Sequence, residues 1–322
     1  MVAADNGRVL TRWERLKRRA TPATLRRLLW TAARFVLLMG LSFTILFPFI
    51  AKLSSAFMSS EDVFDSTVRY IPKLPTLRNI RIVLKYTDYF QALLNTAAIS
   101  AMVAALQTSC AVLVGYGLAK YRFRGHGLLS VMLVVTIMMP PQTLVLALYM
   151  FFRYFDIFGL FQLLFGKALV LIDTPLPSVL LSITGLGFRG GLFIFIMRQF
   201  FIGVPDVLAE AANVDGASSF RTFRSVMLPL SGPVMVTVFM LSFAWQWTDT
   251  QYVPLLFSNF KMLSNVVLTV NTLAAEGILN GSYMSSVVVS TGVLLAVIPL
   301  LLVYIVMQRR IIEGIEHSGI VG

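Results

Sequence analysis

The chain has 322 residues, 57% apolar and only 13% charged, with a mean hydropathy of +0.79 and a formal net charge of +12. Soluble domains carry about 25% charged residues, so an ordinary soluble fold is excluded and the chain belongs in a lipid bilayer. The cationic surplus does not indicate nucleic acid, because basic residues concentrate beside apolar runs. The single cysteine, Cys110, lies inside such a run as a small packing residue and leaves no disulfide framework or zinc site.

The N-terminus carries nine Lys and Arg residues up to Arg34. Residues 1–33 read as a basic cytoplasmic extension, a solvated or headgroup-facing anchor or else a partner-binding segment. A first helix follows near 34–57. Its uncharged core, Phe35–Ala51, continues through Pro48 to Lys52 with no A-x-A-like exit, so a retained helix is expected rather than a cleavable signal. A loop over 58–91 holds Arg69, Lys73, Arg78, Arg81 and Lys85. The second helix is placed near 92–118 inside a 28-residue uncharged run, and the third near 128–152 inside one of 25 residues. Both exceed the roughly 20 apolar residues that cross the hydrocarbon core. Pro140-Pro141 should kink the third helix and free backbone carbonyls, for a pore or for packing.

Leu160–Ile172 is apolar except for Lys167 but too short to cross comfortably, and reads as an outer helix, interfacial or re-entrant. The fourth helix is expected near 178–201 despite Arg189, the fifth near 233–256 and the sixth near 284–307. Six crossings place 17 of the 27 basic residues inside with both termini cytoplasmic, as the positive-inside rule requires, although the 58–91 loop departs from it. The fold expected is all-α, one membrane domain over 34–322.

Between helices four and five lies a polar stretch, 203–232, containing EAANVDGASSFRTFRSVMLP from Glu210 to Pro229. Pro205-Asp206 suits a helix start, with an acid near the positive end. Asp215-Gly216 suits a stop, since glycine tolerates a left-handed cap. Ser218 or Ser219 can open a second short helix with Phe220, Phe223 and Met227 on one face, ended by Leu228-Pro229. Two short helices at an elbow form a compact knob. The bland alternative is an ordinary amphipathic hairpin.

The spacing Glu210-Ala211-Ala212, Gly216, Val226, Leu228-Pro229 closely resembles the EAA loop of ATP-binding-cassette (ABC) importer permeases. Over roughly 35–322 the chain looks like their carbohydrate-uptake branch. Further matches are Ile71-Pro72-Lys73, Asn95-Thr96, the run Gly117 to Phe123, Arg198-Gln199-Phe200-Phe201, Trp245-Gln246-Trp247-Thr248-Asp249 and the tail Gly319 to Gly322. Two features depart from that pattern: the long basic extension, and Arg189 within Gly187 to Gly191, where the family is usually apolar. The resemblance implies a six-helix type I permease in a bacterial inner membrane. It implies a homologous second permease, an ATPase dimer, an extracytoplasmic solute-binding protein and a sugar, whether an oligosaccharide, a disaccharide or a polyol. Coupling would pass through Glu210, Ala211, Ala212, Asp215, Gly216, Phe220, Phe223, Leu228 and Pro229. ATP and magnesium would sit on the partner ATPase, with no cofactor on this chain.

Candidate pathway residues are Arg189, Trp245, Trp247, Asp249 and Tyr252. A charge within a span is expensive and suggests a pathway, unless the helix begins there and the guanidinium reaches the outer interface. Arg189 would lie roughly 18 Å from the inner surface if Phe201 marks that surface. An acidic oligosaccharide is therefore a further option. The aromatic residues suit sugar stacking or an interfacial belt, and Gly187 with Gly191 suits close helix packing. No P-loop, G-x-S-x-G elbow or metal-ligand spacing occurs, so catalysis on this chain is not expected. Other readings are an importer of a non-sugar solute, a secondary transporter, which would need inverted repeats, and a membrane sensor or assembly protein.

Overall fold

A computed structural model describes residues 22–276 and 282–319. Most of the expected N-terminal extension and the tail Ile320–Gly322 lie outside the described residues. Among those described there is no strand, only a lone antiparallel bridge between Phe155 and Leu169. Among the described residues three helices are continuous and long and apolar enough to cross a membrane, and three further apolar segments are broken.

The continuous spans are Pro22–Ala56, Tyr89–Lys120 and Ser282–Gly319. Each exceeds 30 residues, so at 1.5 Å per residue each outreaches a hydrocarbon core about 30 Å thick. The first is already helical at Pro22, where the described residues begin, rather than from near 34, and includes Arg26, Arg27 and Arg34. The expected boundary at 33 is therefore not a break in the helix.

The third, fourth and fifth spans correct the expectation of single helices near 128–152, 178–201 and 233–256. The third divides into His126–Met138 and Val145–Arg153 around the turn Pro141–Thr143. Two consecutive prolines lack two amide donors and cannot continue the ladder. The fourth divides into Leu176–Ile183 and Gly190–Gly203, with Gly185 at φ +74° and Arg189 at φ +58° in the break. The fifth, Gly232–Trp247, is separated from Tyr252–Leu256 by a turn. There one Asp249 carboxylate oxygen accepts the amides of Gln251 and Tyr252 at 2.8 and 3.0 Å.

The second span is the axis of the bundle, packing against Gly190–Gly203 on one side and Gly232–Trp247 on another. Gly115 permits the first contact. A Cβ built there would lie 2.8 Å from the Met197 Cβ and 2.9 Å from the Arg198 amide nitrogen. Small residues let helix backbones approach in just this way where lipid offers no hydrophobic drive. Tyr116, Met197, Phe201, Met227 and Val234 form one buried cluster, and Val103, Phe152, Val253 and Phe257 another. The last span packs on the fifth, and the first runs along the last with its apolar side chains largely exposed.

Residues 160–172 form a lobe and no crossing. A six-residue helix, Leu160–Phe165, is capped by Asp156, whose carboxylate accepts the Phe161 amide at 2.8 Å. Phe158, Leu163 and Phe165 are exposed at its tip, which fits an interfacial position. The loop over 58–91 is likewise ordered. Buried Asn79 donates to the carbonyls of Ala56 and Met58, and the Asp62 carboxylate accepts the amides of Lys73 and Leu74.

Candidate functional site

Two places bring the predicted residues together. The first is the elbow between the fourth and fifth spans. Val207–Val214 leaves the line of Gly190–Gly203 at 70°, and the segment 219–230 meets Gly232–Trp247 at 71°. The stop at Asp215-Gly216 is as expected. Gly216 has φ +78°, and the Ala217 amide bonds back to the Ala212 carbonyl at 2.9 Å, a Schellman closure. The Ser218 hydroxyl then accepts the Arg221 amide at 3.4 Å.

Two details differ from expectation. The second helix does not stop at Leu228-Pro229 but turns at Ser231. Pro229 is accommodated by a π-turn over Phe223–Met227 immediately before it. Nor do Phe220, Phe223 and Met227, expected on one face, share one environment. Met227 is fully buried and Phe223 lies 4.8 Å from the Tyr116 ring, whereas Phe220 sits a turn further from the bundle and is 71% exposed. The exposed surface of the elbow holds Val207, Val214 and Phe220 beside Asp206, Glu210 and Asp215. Apolar residues grouped within a polar rim mark an interaction surface.

Sequence reasoning missed what fixes the elbow to the bundle. Lys120, at the end of the second span, is largely buried. Its ammonium donates to the Val204 carbonyl at 2.7 Å and to an Asp206 carboxylate oxygen at 2.6 Å. One cation thus satisfies an orphan carbonyl just past a helix end and pins the start of the next helix. The residue was visible as an inside-positive charge within the run Gly117 to Phe123, with no sign of this role, because its partners lie more than eighty positions away.

The second place is a groove of about 310 Å³ where the third and fourth spans break. Met139, Pro140 and Pro141 line one side, Gly187 to Gly191 the other, with Tyr252 at the edge. Non-helical backbone at membrane depth is tolerated where it is buried in protein or lines a wet cavity. Arg189 opens the helix Gly190–Gly203. Its guanidinium lies 4.5 Å from the Trp245 ring centroid and 5.4 Å from that of Phe188. Phe188 also meets Tyr252 edge-on at 5.5 Å, so Arg189, Trp245 and Tyr252 form one cluster.

Trp247 and Asp249 are elsewhere. Trp247 is buried against the last span, its indole N–H donating to the Ala296 carbonyl at 2.9 Å. Asp249 is 3% exposed and serves its own turn, its other oxygen has no hydrogen-bond partner, and the residue lines a small cavity of about 20 Å³ with Gln107, Gln246 and Ser182. Gly187 and Gly191 do pack closely: added Cβ atoms would meet the Gln107 amide nitrogen at 2.2 Å and Thr136 at 3.1 Å.

A polytopic helical protein with broken spans around a groove and a projecting elbow has the architecture of a transport component. The chain belongs to the binding-protein-dependent transport system inner membrane component family, whose model matches residues 111–317. It is 27% identical over 280 residues to the sn-glycerol-3-phosphate transport system permease protein UgpE of Pectobacterium atrosepticum, covering 85% of this chain and 92% of that one. It is 25% identical over 287 residues to the arabinooligosaccharides transport system permease protein AraQ of Halalkalibacterium halodurans, covering 88% and 93%. The fold also matches a chain of a bacterial ABC transporter involved in the import of the acidic polysaccharide alginate. The TM-score is 0.59 at 21% identity, over 87% of this chain and 96% of that one. The protein is therefore a multi-pass inner-membrane permease component of type I architecture.

Proposed function

We propose that this chain is one of two permease subunits of an ATP-driven sugar importer, with the 203–232 elbow as its seat for an ATPase. The elbow carries this reading. It projects from the bundle, exposes Val207, Val214 and Phe220, and is tied through Lys120 to the axial second span. A push on the elbow then reaches the bundle as a rigid-body movement rather than dissipating in a loose loop, and the pathway alternates between two states. ATP and magnesium belong to the ATPase dimer, and both termini to the cytoplasm. A solute-binding protein delivers the sugar from outside, a role supported by the related alginate transporter solved with an alginate pentasaccharide-bound periplasmic protein.

The test is ATP-dependent uptake by proteoliposomes holding this chain with its partner permease, ATPase and binding protein. Glu210→Lys places a cation on the exposed face of the elbow; it should insert normally, weaken ATPase docking and abolish uptake. Full uptake by that variant would remove the elbow from coupling.

A further inference from the structure

We infer that Arg189 makes the groove between the third and fourth spans an anion-recognition site, so that the solute is a sugar bearing a carboxylate or a phosphate. The inference rests on the importer reading and adds to it a substrate class.

Arg189 stands at the start of the helix Gly190–Gly203, roughly 20 Å from its other end, and is exposed beside the groove. A cation within a spanning segment is costly unless it is paired, reaches an interface or serves a pathway. Among the described residues the ion pairs join Lys73 to Asp65, Lys120 to Asp206 and Lys261 to Asp88, and Arg189 takes part in none. It is also the one charged side chain among those lining the groove.

Its presentation is specific. Trp245 and Phe188 lie 4.5 and 5.4 Å from the guanidinium carbon. Stacking on an aromatic face occupies the face of a guanidinium and leaves its in-plane N–H donors available, in the fork that matches a carboxylate or phosphate. The backbone bears a cost for this placement. Arg189 has φ +58°, a conformation a bulky side chain disfavours, in a break where Gly185, Gly187 and Gly190 are neighbours. A glycine would sit there unstrained, so what the position gains is the side chain. The positive end of the helix beginning at Gly190 adds a field of the same sign. Apolar walls from Met138, Met139 and Leu144, with the hydroxyls of Thr136 and Tyr252, suit the faces and hydroxyls of a sugar ring. Arg189 is exposed on the groove, so its in-plane donors can meet an anionic group on a solute, a pairing that a neutral sugar does not supply.

The experiment uses the assembled importer in detergent without its binding protein. Affinities are measured by calorimetry for a uronate trisaccharide against its carboxyl-reduced neutral counterpart, and for glycerol 3-phosphate against glycerol. Arg189→Asn removes the charge while tolerating the left-handed backbone, and Arg189→Lys keeps the charge. The wild type should bind at least one anionic probe tenfold or more tighter than its neutral partner. The pair showing that preference distinguishes carboxylate from phosphate. Asn should erase the preference and Lys should keep part of it. Equal binding of charged and neutral probes, no binding of any probe, or a preference that survives Arg189→Asn overturns the proposal. ATP hydrolysis is read on the same samples. A hydrolysing complex indifferent to probe charge defeats only the anion site, whereas failure to assemble or hydrolyse defeats the importer reading and this inference together.

Discussion

Gly216 offers the sharpest separation between a backbone role and a contact role. Its φ is +78°, and a Cβ built on it meets nothing within 4 Å. Substitution should therefore act through backbone strain alone. The left-handed conformation costs a side-chain-bearing residue about 1–2 kcal/mol, least for Asn. Gly216→Ala should cost about 1 kcal/mol, Gly216→Val about 2 kcal/mol, and Gly216→Asn a few tenths. If the elbow must hold this shape to seat an ATPase, those figures become roughly fivefold, thirtyfold and under twofold losses of affinity. Titration of the ATPase onto the permease pair in nanodiscs measures them directly. Equal affinity for all three variants would show that the elbow does not need its cap. A loss with Asn as large as with Val would place the requirement in space on the partner's surface, not in this backbone.

Lys120→Met should loosen the elbow by about 1–2 kcal/mol, mainly through the lost charge-assisted bond to the Val204 carbonyl, because the exposed Asp206 contributes little. Solute-stimulated hydrolysis should fall while Asp206→Asn changes it far less; matching losses would shift the weight to the ion pair. Trp247→Ala should destabilise by about 3–5 kcal/mol, seen as a lower Tm, with solute preference unchanged. Trp245→Ala should alter preference instead, and an exchange of those phenotypes would refute the groove assignment. Cysteine at Ser218 should be labelled only from the cytoplasm and at Ser66 only from outside; labelling of both from one side would end the six-pass topology.

The runs of apolar residues located the expected segments, because span length is set by bilayer thickness, although only three of them are single helices long enough to cross. The breaks were less legible. Pro140-Pro141 announced one, since proline's missing donor is a local property. The break at Thr184 to Arg189 was foreseen only as the alternative that a helix begins at Arg189, because its glycines sit in an apolar stretch that composition alone counts as helix. In the elbow, the cap at Gly216 followed from a single residue. The Lys120 anchor required the bundle to bring distant residues together. Trp245 and Trp247 were grouped as one patch, yet residues two apart on a helix point to different sides. That periodicity, applied to the pair, separates the residue facing Arg189 from the one facing Ala296.

The central claim is that an ATPase seats on the elbow, and site-specific photocross-linking tests it most directly. A photoreactive residue at Phe220, 71% exposed on the elbow, should form a covalent adduct with the ATPase subunit in intact cells, while one at Phe158, fully exposed on the lobe between the third and fourth spans, should form none. An adduct from Phe158 and none from Phe220 would contradict the account.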